Sequence, residues 1–174
     1  GLFGVGFESD VLIASDDNAS FYVPSLGIDL FDGSVAGQSP GSIDTGEAFK
    51  VFLNGQSDVN VSVEGYPISL DTPLTLDANK VNLMPYYPTE SLSPEIVFGD
   101  YVSDVLIVKD DAAGFYVPSF NVNTFIEGLK PGKGYSCFLS GSEDITFTYP
   151  SDVDGRMSSG DTYSASTASL MYAD

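Results

Sequence analysis

The sequence predicts an all-β protein with two tandem, related β-sandwich or barrel-like modules, one short helix and a C-terminal arm. The first observation is a 17-residue stretch that the chain contains twice. Residues 9–25 read SDVLIASDDNASFYVPS, residues 103–119 read SDVLIVKDDAAGFYVPS, and 13 of the 17 positions are identical without a gap. The second is the frequency of turn formers, 18 glycines and 10 prolines. The third is that no long apolar stripe follows the helical period, so β-structure is favoured.

Each copy of the repeated stretch predicts a β-hairpin. An apolar run at 11–13 or 105–107 is followed by two aspartates and then by Phe-Tyr-Val-Pro. Runs of β-branched and aromatic residues around an Asp-rich turn are typical of antiparallel hairpins. We expect Asp16 and Asp110, the first of each pair, to cap the turn by accepting backbone N–H groups. A calcium site that includes Asp17 and Asp111 is the alternative.

The repeat extends beyond the hairpin into a whole module. Residues 43–53 align with 129–139, and the offset between the copies falls from 94 to 86, so copy one carries eight extra residues in the Gly/Ser-rich loop 32–41. Both copies then show an alternating strand pattern, at 58–63 and 144–149. Period-two alternation predicts one buried and one solvated face.

The segment between the copies predicts further elements. Strand-like runs lie at 67–70 with 74–76, and at 81–84, and a short helix is expected at 93–98 with Ser93 as N-cap. Copy one starts too late to contain the strand and helix start that precede copy two. We therefore expect an open sheet edge in copy one, filled by another chain, by the tail or by a segment removed on processing.

These patterns divide the chain into three parts. Residues 1–63 form an N-terminally incomplete first module, 64–150 form the second, and 151–174 form a Ser/Thr-rich arm. The arm is expected to be either flexible or a strand that docks on a neighbour. The chain begins GLFGVGFES without Met, which is expected of a processed or trimmed chain.

Composition argues against several classes of function. The chain has 25 acidic and 6 basic residues, a net charge of −19, and lacks the Lys/Arg clusters that nucleic acids or anionic membranes require. Such a surface suits solubility, cation binding or a basic partner. The sequence contains no His, so the commonest general base is missing, and we expect no enzymatic activity. Cys137, the single cysteine, aligns with Val51 and is expected to fill a core position.

Local motifs provide few candidate sites. Residues 37–41 match G-x-S-x-G, but without His the serine has no base, so a chance match is favoured. The carboxylates Asp152, Asp154 and Asp161 form a weak candidate calcium site that lacks the closing Glu of an EF-hand loop. No other cofactor is indicated. The pairs Phe21-Tyr22 and Phe115-Tyr116 suggest either an aromatic platform for glycan stacking or, by strand alternation, core packing, which we favour.

Copy two resembles a module of secreted bacterial cell-surface proteins and of virion proteins of marine T4-like tailed phages. The resemblance rests on residues 81–84, Pro88, the Ile-Val-Lys-Asp at 107–110, Gly114, the Tyr-Val-Pro at 116–118 and the Pro-Gly-Lys-Gly-Tyr at 131–135. Val81 stands where the module usually has Trp, and copy one has Ser15 for Lys and Ala48 for the last Gly. The resemblance covers nearly all of 64–150 and part of 2–63, and it carries no catalytic residues.

The resemblance implies a structural or adhesive protein at a virion exterior or in the extracellular space. We expect a non-enzymatic head-decoration protein of a tailed phage that docks in many copies on the capsid or on another structural protein. A chain that starts at Gly also fits capsid-maturation cleavage. The alternative is a secreted cell-surface adhesion module that binds glycan, with calcium as a possible ligand.

Overall fold

The computed structural model describes residues 10–31, 48–55, 59–63, 68–151 and 166–170, with backbone alone at 60–63 and 166–170. The chain divides into two compact units, unit 1 (Gly1–Gly65 and Ala165–Asp174) and unit 2 (Tyr66–Ser164). The strands are β1 (Val11–Ser15), β2 (Phe21–Val23), β3 (Ile28–Asp29), β4 (Lys50–Leu53), β5 (Val59–Val63), β6 (Leu74–Leu76), β7 (Val81–Pro85), β8 (Val105–Lys109), β9 (Phe115–Val117), β10 (Val122–Asn123), β11 (Gly134–Leu139), β12 (Ile145–Phe147) and β13 (Ser166–Leu170). The α-helix described is α1 (Pro94–Phe98). The predicted all-β fold with one short helix is confirmed.

Unit 2 contains a five-stranded antiparallel sheet in the order β10-β9-β8-β11-β7 and a two-stranded sheet that pairs β12 with β6. Alternate residues of β11 and β12 are buried, as period-two strands require. Both sheets and α1 contribute to one hydrophobic core, whose fully buried side chains include Met84, Phe98, Val108, Leu139 and Tyr149. The strand alternation predicted for residues 144–149 is therefore the pattern by which this core is built.

Unit 1 contains a four-stranded antiparallel sheet in the order β3-β2-β1-β4 and a two-stranded sheet that pairs β13 with β5. Its described core is smaller and comprises Val11, Ala14, Tyr22 and Phe31, with Phe49 and Val51 partly buried against it.

The two sequence copies form the same sheet in the same register. Leu53 of β4 faces Val11 of β1, and Leu139 of β11 faces Val105 of β8, in both cases beyond an irregularity at the same place in the ladder. The hairpins agree as well, since β1 and β2 pair as β8 and β9 do. The repeat in the sequence is therefore a repeat of backbone geometry.

The turns repeat with the same unusual backbone angles. Ala19 and Ala113 have φ values of 67° and 68°, in the left-handed region that alanine seldom adopts. After each Val-Pro, a 3-10 turn, Pro24–Leu26 or Pro118–Phe120, ends at a left-handed residue, Gly27 or Asn121. Gly and Asn are the residues that adopt this conformation most readily.

The predicted helix is present, whereas one predicted strand is wrong. Ser93 caps α1, and its Oγ accepts a hydrogen bond from the Ile96 N–H at 3.4 Å. Residues 68–70 do not form the strand expected before Leu74–Leu76; Pro67 lies outside the described residues. Instead the Ser69 hydroxyl accepts from the Asp71 N–H, and the Ser69 carbonyl accepts from the Thr72 N–H, so the chain turns before β6 begins.

The described part of the C-terminal arm forms β13, which pairs with β5 of the same chain. Leu170 faces Val59 in this pair, as Leu76 of β6 faces Ile145 of β12. Since Val59 aligns with Ile145 in the repeat, β13 occupies in unit 1 the position that β6 occupies in unit 2. The remainder of the predicted arm lies outside the described residues.

Candidate functional site

The acidic turns of the two hairpins use their first aspartate to hold the backbone. Asp16 Oδ1 accepts from the N–H groups of Asn18 and Ser20, each at 2.8 Å. Asp110 Oδ1 accepts in the same way from the N–H groups of Ala112 and Gly114, at 2.9 and 2.5 Å. Both aspartates therefore cap their turns, as predicted.

The second aspartate of the copy-two turn lies beside a basic side chain. Lys133 Nζ is 3.4 Å from Asp111 Oδ1, and both side chains are partly exposed. An exposed pair of this kind contributes little to stability. Within the ranges described, no group of three or more His, Cys, Asp or Glu side chains is placed to hold a metal ion.

Two sequence candidates lie outside the described residues. The weak calcium candidate, Asp152, Asp154 and Asp161, falls in the segment 152–165, and the G-x-S-x-G match at 37–41 falls in the segment 32–47. The structure therefore tests neither prediction.

The aromatic pairs split between core and surface. Tyr22 and Tyr116 are 6% and 3% exposed, so their rings belong to the cores of their units. Phe21 is half-buried and Phe115 is 38% exposed. Core packing of one ring in each pair follows from strand alternation, and an aromatic platform on this face would have to use the phenylalanines.

Cys137 fills a core position, as its alignment with Val51 predicted. Its side chain is fully buried in β11, and burial raises the pKa of the thiol from 9.0 to about 12. A thiol with so high a pKa is protonated at neutral pH, and is therefore a poor nucleophile.

A cluster of buried tyrosines lies in the core of unit 2, and no sequence pattern predicted it. Tyr149 donates to the Pro85 carbonyl, Tyr86 donates to the Glu90 carbonyl at 2.8 Å, and the Tyr135 hydroxyl accepts from the Lys130 N–H at 2.6 Å. Tyr86 and Tyr149 pack edge to face, with centroids 5.4 Å apart. Burial raises the pKa of all three phenols, so each stays protonated and fixes a loop to the core.

The two copies expose apolar side chains at equivalent positions. Leu26 and Phe120 lie on the 3-10 turns after each Val-Pro and are 70% and 78% exposed. We call these two side chains the turn tips. Leu12 and Leu106, at equivalent places on β1 and β8, are also exposed. In the sequence, the signal was a large apolar residue at the same position of both copies. That these side chains are exposed is known only from the structure.

A shallow groove of about 410 Å³ lies beside α1 in unit 2. Ile96 and Tyr101 form part of its wall and are exposed, whereas Phe98 and Phe147 lie buried beneath. Asp100 is the one charged residue of its lining, so the groove offers a contact surface more than a site for acid–base chemistry.

Comparison of the chain with family models, curated proteins and solved structures finds no match. In the part of the chain that is described, no helix has the length and apolar character to cross a bilayer.

Proposed function

We propose that this chain is a non-enzymatic structural protein of a virion exterior, a head-decoration protein that docks on a capsid surface in many copies. The observation that carries the proposal is that the two copies share a framework and exposed apolar side chains, of which the turn tips are the most exposed. The repeated aspartates cap turns, the repeated tyrosines are buried, and the turn tips point to solvent in both copies.

Charge and valency support a docking role. A net charge of −19 favours association with a basic or polymeric surface, since complementary charge raises the rate of encounter. Each chain carries two equivalent tips, which suits a surface with repeated binding sites. Once one tip is bound, the other contacts its own site at a high effective concentration. The resemblance of copy two to virion modules points to the same kind of surface.

The alternative, a secreted adhesion module that binds glycan, is favoured by one observation. Phe115 and Phe120 of unit 2 present aromatic rings to solvent, at 38% and 78% exposure, and exposed rings are surfaces on which sugars stack. Copy one has Leu26 at the position of Phe120, which an aromatic glycan platform does not explain.

Purified head particles of the virus that encodes the chain test the proposal. We expect mass spectrometry to find the protein at a fixed number per capsid and cryo-EM to show symmetric density for it. The double variant Leu26→Ser/Phe120→Ser is expected to lose most of its occupancy. Ile126→Ser is the matched control, because Ile126 is 96% exposed but has Asp32 as its counterpart in copy one.

Two outcomes would contradict the proposal. Absence of the protein from purified particles excludes a decoration role. Glycan-array binding that Phe115→Ala abolishes, with full particle occupancy retained by the double variant, favours adhesion instead.

A further inference from the structure

Among its described residues, unit 1 has no counterpart of one strand that unit 2 contains. In unit 2 the edge of β11 is covered by β7, with five residue pairs from Gly134–Pro85 to Phe138–Val81. Strand β4 corresponds to β11 in sequence and in its register with the neighbouring strand. Across the described part of unit 1 the sheet ends at β4, with nothing in the place of β7.

The side chains of this edge show the effect of the missing cover. Cys137 and Tyr135 of unit 2 are fully buried, whereas their counterparts Val51 and Phe49 are only partly buried. Phe52 is 46% exposed, whereas its counterpart in β11, Phe138, is half-buried. An exposed edge with apolar side chains is a template for pairing with another strand.

Unit 2 also shows what chemistry a strand at this edge needs. In β7, Asn82 and Met84 point inwards at 3% and 0% exposure, and Val81 points outwards at 53%. The Asn82 side chain donates to the Cys137 carbonyl at 3.3 Å and accepts from the Asp77 N–H at 2.8 Å. Asn82 faces Cys137 and Met84 faces Tyr135.

Unit 1 already completes its other sheet with a strand that is distant in sequence. Strand β13 takes the place of β6, and Ala168 faces Val61 as Leu74 faces Phe147. The framework of copy one therefore accepts strands that do not precede it in the chain.

We propose that the edge of β4 is an acceptor site for an extended segment of a second protein, which adds to the sheet antiparallel to β4. The segment places an Asn opposite Val51 and a large apolar residue opposite Phe49, as β7 does on β11. Main-chain hydrogen bonds supply much of the affinity in such strand addition, and the alternate side chains supply the specificity. This site is separate from the turn tips and does not depend on the proposed function.

A second copy of the chain is a poorer donor than a different protein. Its own β7 is paired along its whole length with β11, and Asn82 and Met84 are buried there. Donation of β7 to another copy would require unit 2 to open.

A disulfide-trapping experiment on the full-length chain tests the register. The probe is a synthetic peptide with the sequence of residues 79–88, NKVNLMPYYP, in which cysteine replaces the asparagine equivalent to Asn82. The protein carries Val51→Cys, the residue that copy two has at this position. The resident Cys137 does not interfere, since its thiol is fully buried.

The control peptide carries its cysteine one residue later, in place of the leucine equivalent to Leu83. We expect the matched peptide to form the mixed disulfide about tenfold faster than this control, because a shift of one residue turns the cysteine to the other face of the strand. A third peptide keeps the matched cysteine and carries lysine in place of the methionine equivalent to Met84, and it is expected to lose most of the trapping. In the unaltered chain, the unmodified peptide is expected to slow hydrogen exchange at those amides of Phe49 to Leu53 that point away from β1, and to leave β11 unchanged.

The proposal is overturned if matched and shifted peptides are trapped at the same rate, or if the unmodified peptide leaves exchange at these amides unchanged. Slow exchange without peptide at the β4 amides that point away from β1 also overturns it. In a monomer by sedimentation that result means that the chain fills its own edge, and in a dimer it means that a second copy does.

Discussion

At the scale of single residues, the sequence predicted which aspartate would act and how. Asp16 and Asp110 were expected to cap their turns, and each accepts two backbone N–H groups across a turn that contains one left-handed residue. That inference was possible because an Asx turn is local and depends on spacing alone. The competing calcium site would have needed oxygens from distant segments, which no local pattern reveals.

Substitution of Asp110 separates capping from metal binding. Asp110→Ala is expected to lower the free energy of unfolding of unit 2 by about 1–2 kcal/mol, because the half-buried Gly114 N–H and the exposed Ala112 N–H lose their acceptor. Asp110→Asn is expected to cost less than half as much, since the amide oxygen still accepts. Urea unfolding with and without calcium measures both effects. If Asn is as harmful as Ala and calcium stabilises only the unaltered protein, the capping account is wrong.

Gly128 is expected to be the least replaceable of the left-handed glycines. Its φ is +79°, and a Cβ would lie 2.5 Å from the Leu92 carbonyl oxygen, which accepts the Leu129 N–H in the bridge that joins these segments. Gly128→Ala is expected to cost about 3 kcal/mol, by backbone strain and overlap together. Gly132→Ala is the control, with φ +73° and no atom within 4 Å, and is expected to cost about 1 kcal/mol. Equal losses in urea unfolding would refute the contribution of the overlap.

At the scale of elements, the sequence predicted what is local and missed what is distant. The hairpins and the capped helix follow from turn chemistry and period, and both are present. The strand predicted at 67–70 is wrong over its described residues, 68–70, because the apolar spacing outweighed Ser69, whose hydrogen bonds close a turn. The tail was one of three segments expected to fill an open edge of copy one, but pattern alone did not select it or predict its pairing with β5, because the two strands lie about a hundred residues apart in the chain.

Removal of the tail tests this replacement of one strand by another. A chain that ends at Ser164 lacks β13, and the β5 edge then loses its partner. We expect amide hydrogen exchange in Val59–Val63 to accelerate by at least about tenfold, because these backbone groups lose their ladder hydrogen bonds. The control lies in the same molecule, since Ile145–Phe147 keeps its pairing with β6 and is expected to exchange at an unchanged rate. Unchanged exchange in β5 would show that β13 does not hold it.

At the scale of the whole molecule, the chain combines two units, each with an apolar core, and a strongly acidic composition. The acidic groups explain solubility and the expected preference for basic surfaces, but they do not define the fold. The core of unit 2 instead contains ionisable groups that must stay neutral, namely Cys137 and the buried tyrosines. A core of this kind makes the chain sensitive to alkali, whatever surface it binds.

We therefore expect the free energy of unfolding to fall steeply at alkaline pH, and Cys137 contributes to this fall. Burial raises the pKa of its thiol from 9.0 to about 12, so the stabilisation is complete below pH 9 and is lost as the pH rises towards 12. Over that window the unfolded chain releases a proton that the folded chain keeps, and stability falls by up to about 1.4 kcal/mol per pH unit for this group. Cys137→Val, the residue of copy one, is expected to flatten the fall between pH 9 and 10, where the tyrosines of the unfolded chain are no more than about half ionised. Ser136→Ala, a change at the adjacent half-buried position without a titrating group, is expected to leave the slope as it was. Urea midpoints at intervals from pH 8 to 10 measure these slopes, and an identical slope for the valine variant would mean that the thiol is not held neutral by burial.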